Sequence, residues 1–193
     1  ILAIGAAQAA DAPQADASTA QAVTVVHCPH LIDTINGKML GTTTVVINGD
    51  RIGDVVAGSA DRPGATVIDL PANDTCMPGL IDDHVHLTTQ FSKSTYSDKF
   101  RLNPADYAIQ STVYARRTLL AGFTTVRNLG DDHNESIALR NAVNAGLVPG
   151  PRIFSAGQFI GTTGGHADPT NGFRWDLQGD PGPKDGIIDS PED

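Results

Sequence analysis

The sequence predicts an α/β protein: a small β-sheet unit, then parallel strands joined by helices. Three observations carry this prediction. β-branched runs separated by turn signals fill residues 23–70. Strand and helix patterns alternate from Met77 onward. The first strand of that alternation ends in a His-x-His pair, His84 and His86.

In the first unit, Thr43-Thr44-Val45-Val46-Ile47 and Arg51-Ile52-Gly53-Asp54-Val55-Val56 flank Asn48-Gly49. Asn-Gly tolerates positive φ at both positions, so the two runs read as a hairpin turning on that pair. Residues 23–26 and 66–70 read as further strands. A small antiparallel sheet or sandwich is the expected product. Its core is thin for an independent domain, so it is expected to lean on a neighbour.

In the second unit, residues 79–87 form an apolar strand. Residues 104–121 read as a helix: Ile109, Val113 and Leu120 share one face, with Ala108, Ala115 and Leu119 beside it. Gly122 ends that helix. Residues 123–129 are the next strand. Asn134 is expected to cap a second helix running to Ala145, with Ile137, Leu139, Ala142 and Val143 apolar, and residues 152–156 are a third strand. Strand, helix, strand, helix, strand implies parallel strands with crossover helices. Doubly wound sheets and (β/α)₈ barrels both begin this way. No glycine-rich phosphate turn opens the first helix, so nothing supports a nucleotide fold.

Composition narrows the function. The chain has 193 residues, 40% hydrophobic and 18% charged, with a net charge of −9. It is too apolar and too weakly charged to be wholly disordered. The acidic balance argues against a nucleic-acid partner, which needs a basic face. No stretch has the roughly 18 apolar residues that a membrane span requires. From Asp168 onward there are seven acids against two bases, a net −5, in a Gly/Pro-rich stretch that reads as a solvated loop. Asp185-Gly186, Ile188 and Glu192 fall at calcium-loop spacing. Pro181 and Pro183 then occupy the first two ligand positions, where proline offers no carboxylate, so that reading is rejected.

Residues 1–10 are small and apolar, and Ala7-Gln8-Ala9 fits a signal-cleavage pattern. Residues 1–20 are therefore expected to be a signal-peptide remnant and flexible leader of an exported protein, periplasmic or secreted. Export would permit a Cys28–Cys76 bond, which two cysteines alone leave undecided. Ser190-Pro191-Glu192-Asp193 reads as a helix start, so the chain is expected to stop within a domain.

Asp82-Asp83-His84-Val85-His86 carries the chemistry. Alternation along a strand puts Leu80, Asp82, His84 and His86 on one face, and Asp83 on the other. Two imidazoles about 7 Å apart along the strand, two steps of ~3.3 Å, can close on one ion. They lie at the C-terminal end of a strand, where parallel-sheet enzymes place their sites. Neutral imidazole suits zinc and similar ions. By spacing alone, two core histidines satisfied by hydrogen bonds remain the competing reading.

Asn48-Gly-Asp-Arg-Ile-Gly-Asp-Val, Val67-Ile-Asp-Leu and Met77-Pro-Gly-Leu-Ile-Asp-Asp-His-Val-His-Leu together resemble the opening of a metal-dependent amidohydrolase. Ala121-Gly-Phe-Thr-Thr-Val-Arg-Asn-Leu-Gly, Gly150-Pro-Arg-Ile-Phe-Ser-Ala-Gly and Thr163-Gly-Gly-His-Ala-Asp are similar to its imidazolonepropionase-like and prolidase-like branch. The resemblance implies a small β-sandwich over residues 21–76, then a (β/α)₈ TIM-type barrel whose first three strands fall within residues 77–193. It implies His84 and His86 as ligands of a divalent metal, usually zinc, in a site of one or two ions. It implies His166 as a substrate-binding residue beside the pocket. Arg127 and Asn128 end the second strand on the presumed active face. Asn128 stands where the family more often has aspartate, which removes a charge. Asp83 is expected to face the helices without a catalytic role, and His27, His30 and His133 to be surface or sheet residues. Asn73 and Asn134 also head glycosylation patterns.

The implied reaction is amide or peptide hydrolysis by metal-activated water, with a small molecule or dipeptide as substrate. A bridging lysine, further histidines and a catalytic aspartate complete the resembled site, and none is identified in this sequence. The 193-residue chain is therefore expected to be inactive alone. A cyclic-amide hydrolase or deaminase, and a non-catalytic secreted binding protein on the same scaffold, are the alternatives. A homo-oligomer is left open.

Overall fold

The computed structural model describes residues 22–193. Its contacts divide the chain into two compact units that part between Pro78 and Gly79. The expected signal remnant and leader lie outside the described residues.

The first unit contains β1 (Val23–Cys28), β2 (His30–Asp33), β3 (Lys38–Leu40), β4 (Thr43–Asn48), β5 (Arg51–Ala57), β6 (Thr66–Asp69) and β7 (Thr75–Cys76). They make a four-stranded sheet in the order β5-β4-β1-β6 and a three-stranded sheet in the order β3-β2-β7. The sheets are mixed rather than antiparallel: β6 runs parallel to β1, and β7 to β2. The β4–β5 hairpin forms, but one residue later than Asn-Gly suggests. Asn48 pairs with Arg51, so Gly49 and Asp50 make the loop, and of these only Gly49 takes positive φ, 61°. Glycine alone at the first loop position is the pattern of a type II′ turn. The register then shifts between Val46 and Ile47. Gly53 sits at that irregularity, where a Cβ would collide with the Asn48 amide.

Val25, Cys28 and Val46 form the buried centre of this unit, with Thr43 and Thr44. The Thr44 hydroxyl donates to the Gly58 carbonyl at 2.7 Å and accepts the Ala60 N–H at 2.9 Å, which makes its burial affordable. His27 Nδ1 lies 2.6 Å from the Asp69 carboxylate across the parallel β1–β6 pair. That hydrogen bond holds the imidazole's pKa above its ordinary value. Cys28 and Cys76 are joined in a disulfide.

The second unit contains β8 (Leu80–Val85), α1 (Thr95–Asp98), α2 (Pro104–Leu120), β9 (Phe123–Asn128), α3 (Glu135–Asn144) and β10 (Arg152–Ser155). The sheet order is β10-β9-β8 and both pairings are parallel, as the alternating pattern predicts. Proline opens α2, and the Asn103 N–H donates to the Asp106 carboxylate at 2.8 Å, half of a capping box. Leu87, Ala115, Val126, Leu139 and Ile153 form the core, with Val85, Phe123, Val143 and Val148 against it.

Helix α2 buries a different face from the one its large apolar residues suggest. Ile109 is 69% exposed, Val113 and Leu120 are exposed too, and the buried residues are Ser111 and Ala115. Small residues win because the contact is close: a Cβ built on Gly150 would lie 3.2 Å from that of Ala115. The Ser111 hydroxyl donates to the Ala108 carbonyl at 2.6 Å, so it enters the core already satisfied. The start of α3 also departs from expectation. Asn134 occupies the cap position in the left-handed region, φ 63°, without a side-chain cap bond. The Asp131 carboxylate supplies the cap, accepting the Ser136 N–H at 3.2 Å and also the Ser136 hydroxyl. The segment at Ser190 is a turn, in which the Asp193 carboxylate accepts the N–H groups of Asp189 and Ser190, each at 2.8 Å. Among the described residues, no helix is long and apolar enough to cross a membrane.

Candidate metal centre

The C-terminal end of β8 is irregular, and the irregularity sets the histidines. Asp82 pairs with Val126 and Val85 with Asn128, so three steps of β8 match two of β9. This shift breaks the alternation that would have put Asp82 on the face of His84 and His86. The Asp82 carboxylate instead folds back to accept the His84 N–H at 3.0 Å. Asp83, expected to face the helices, is exposed. Beyond the shift, alternation resumes. Val85 and Leu87 enter the core, while His84 and His86 remain exposed on the other side.

The two imidazoles meet edge to face with centroids 5.4 Å apart. His86 Nδ1 lies 3.1 Å from the Gly130 carbonyl. A carbonyl can only accept, so Nδ1 carries a proton, and in the neutral ring Nε2 is the nitrogen with the lone pair. Metal-ligating histidines characteristically have this arrangement. The Phe159 ring tilts against His86 at 5.5 Å between centroids. Gly130 has φ 142°, and a Cβ there would lie 2.5 Å from that ring. The donor set fits a divalent ion in kind: adjacent imidazoles, one with its tautomer fixed for ligation. Among the described residues, no group of three or more His, Cys, Asp or Glu side chains could hold an ion, so the pair has no third protein ligand there.

Asn128 does not present its amide to the face of the histidines. It is 0% exposed; its Oδ1 accepts the Leu87 N–H at 2.7 Å and its Nδ2 donates to the Gly130 carbonyl at 3.3 Å. Arg127, beside it at the C-terminal end of β9, is exposed. His166 is exposed in the loop after β10. Buried Asp168 organises that loop, accepting the Gly164 N–H at 2.7 Å and the Thr170 N–H at 2.8 Å. These bonds hold the Asp168 carboxyl below its usual range, the Thr170 hydroxyl most of all.

A second polar cluster was not legible in the sequence. Asp131 and Glu135 are 3% and 5% exposed, and Asp131 Oδ1 is buried without a hydrogen-bond donor. Burial pushes the Glu135 carboxyl above its ordinary range, and its hydrogen bond to Asp131 pushes it the same way. When protonated, Glu135 can supply a donor to Asp131. Because the folded value is raised, this stabilisation is fully present below the ordinary value of about 4.3 and is lost as pH rises through the folded value. Glu135→Gln provides a permanent N–H for Asp131 and keeps a carbonyl for the His133 N–H, which Glu135 accepts at 3.1 Å. The variant is expected to melt higher than the parent at pH 8, by about 1–3 kcal/mol of stability. It should also lose the parent's decline above the ordinary carboxyl range. Melting curves from that range up to pH 8 check it, and a lower melting point at pH 8 would refute the shared proton.

Residues 75–189, more than half of the chain, match the Amidohydrolase family. The chain belongs to that family. It is similar to a Xaa-Pro dipeptidase solved with methionine in its active site, with 38% identity and a TM-score of 0.79, over 89% of this chain and 42% of that one. A prolidase complexed with N-methylphosphonate-L-proline is similar at 36% identity and a TM-score of 0.66, over 78% of this chain and 36% of that one. The ochratoxinase of Aspergillus niger is 29% identical over 161 residues, 81% of this chain and 32% of that protein. The chain spans less than half the length of each of these relatives.

Proposed function

We propose that the full-length protein hydrolyses amide or peptide C–N bonds as a metal-dependent, dipeptidase-like amidohydrolase. The observation that carries this reading is the His84–His86 pair, with Nε2 of His86 freed by the Gly130 carbonyl, in a chain of this family. Similarity to a Xaa-Pro dipeptidase and a prolidase supports a dipeptide substrate. In this reading the first unit is part of a β-sandwich, and β8, β9 and β10 open a (β/α)₈ barrel. His84 and His86 hold zinc, as one ion or one of two, and His166 borders the substrate. A bound divalent ion supplies Lewis acidity and activates water. This chain's own contribution is to hold two imidazoles at a strand end and to fix a His86 proton on Nδ1. Two imidazoles fall short of the three protein ligands usual for catalytic zinc, so the 193-residue chain alone is inactive in this reading. The Cys28–Cys76 bond supports export to an oxidising compartment.

The test is hydrolysis by the purified full-length protein, stripped of metal and then reloaded with zinc. Release of proline from Xaa-Pro dipeptides, lost on stripping and restored by zinc, is the expected result. Undiminished activity in the stripped protein would overturn the metal dependence. Opening of a cyclic amide with no dipeptide cleavage would move the protein to the heterocycle-directed alternative.

A further inference from the structure

The side chain of Asn128 joins the two features that orient His86. Asn128 is the last residue of β9 and is fully buried. Just before His86, the backbone ladder still runs from β8 to the chain following β9, with the Leu129 N–H donating to the Val85 carbonyl at 3.1 Å. Past His86 the backbones part, and the Asn128 amide takes over, its Oδ1 accepting the Leu87 N–H at 2.7 Å. The other end of the same amide donates to the Gly130 carbonyl at 3.3 Å. That carbonyl is the group that accepts from His86 Nδ1. One amide thus grips the chain immediately after His86 and also steadies the oxygen that selects the ring's tautomer.

We propose that Asn128 is a positioning residue for His86, acting through the Leu87 N–H and the Gly130 carbonyl. The proposal rests on reading His86 as a metal ligand. A neutral amide serves both partners, since the Leu87 N–H needs an acceptor and the Gly130 carbonyl can take a second donor beside His86. A carboxylate would keep the first bond, and would set an oxygen against the Gly130 carbonyl in place of the second. The asparagine at this position is therefore a gain of a donor, not only a loss of charge. Partners that orient a metal-ligating histidine typically account for about 10–100-fold in metal affinity.

The experiment uses the full-length protein with Asn128→Asp, Asn128→Ala, His86→Gln and, as a core control, Leu139→Ala. Zinc affinity is read by competition with a chromogenic chelator. The His86 tautomer is read from imidazole ¹⁵N shifts in the metal-free protein. Asn128→Asp is expected to weaken zinc binding about 10-fold or more and to mix the His86 tautomers. Leu139→Ala should lower the melting temperature while leaving zinc affinity and the ¹⁵N shifts as in the parent. Should Asn128→Ala lose its fold, Asn128→Asp, which retains the acceptor for Leu87, carries the same test. If His86→Gln leaves zinc affinity unchanged, the ligand reading itself fails. If His86→Gln weakens zinc binding but Asn128→Asp changes neither affinity nor tautomer, the ligand reading survives and the role of Asn128 is overturned.

Discussion

His86→Ala in the full-length protein is expected to strip the metal and abolish hydrolysis while leaving the fold intact. The ring is exposed in the described chain, so its removal opens no cavity there, and exposed substitutions usually stay within about 0.5 kcal/mol. Its chemical contribution is far larger. With Nδ1 committed to Gly130 at 3.1 Å, Nε2 is the nitrogen left for an ion in the proposed site. Partners one bond further out are worth about 10–100-fold in metal affinity, so a ligand itself should cost more than about 100-fold. His84→Ala should do the same, because the two rings lie 5.4 Å apart at one strand end. Metal content by mass spectrometry, dipeptide hydrolysis and a melting curve on the same samples separate these effects. Full metal content with full activity in both variants would remove the pair from the mechanism. A collapse of the melting temperature would instead make them structural.

Much of this arrangement could be read from the amino acids, and the exceptions share a cause. Alternation of strand and helix patterns after Met77 yields β8, α2, β9, α3 and β10 in order, because local periodicity reflects which side of each element is buried. The His-x-His spacing likewise brings His84 and His86 together. What periodicity does not carry is the partner. A β-branched strand reads the same whether its neighbour is parallel or antiparallel, so the β1–β6 pairing across some forty residues was invisible. In α2, the large residues marked an apolar face. The buried side is instead the one whose small residues, Ser111 and Ala115, allow close approach. The register shift before His84 leaves no local signal, yet it turns Asp82 from a presumed neighbour of the site into a brace for the His84 backbone. Asp131 displaces Asn134 as the cap of α3 from five residues before Ser136, beyond the reach of any capping motif. In the sequence, Asn128 stands out for the charge it lacks beside the aspartate more usual there. Its function in the fold comes from the donor it gains, which becomes apparent only once Leu87 and Gly130 converge on it.

Replacing Cys28 and Cys76 together with alanine is expected to cost about 4 kcal/mol, the loop-entropy value for a 48-residue separation at 25 °C. Cys28 ends β1 in the four-stranded sheet, and Cys76 ends β7 in the three-stranded sheet. The bond therefore ties the two sheets of the first unit to each other. Among the described residues of this unit, the buried apolar set is small: Val25, Cys28 and Val46. Marginal domains have only about 5–15 kcal/mol in total, so such a loss removes a large fraction of what is available. The mechanism acts on the unfolded chain, which regains the freedom that the closed loop denied it. Alanine rather than serine is the substitution to use at Cys28, because that position is fully buried and a hydroxyl there would add a separate penalty. Denaturant unfolding of the full-length protein, followed by a probe in the first unit with and without reductant, measures the effect. The parent should lose stability on reduction and the double variant should be indifferent to it. Equal midpoints for all four samples, or free thiols in the unfolded unreduced parent, would show that the bond is not formed. They would also withdraw the support that the bond lends to the proposed export, because disulfides form and persist mainly in oxidising compartments.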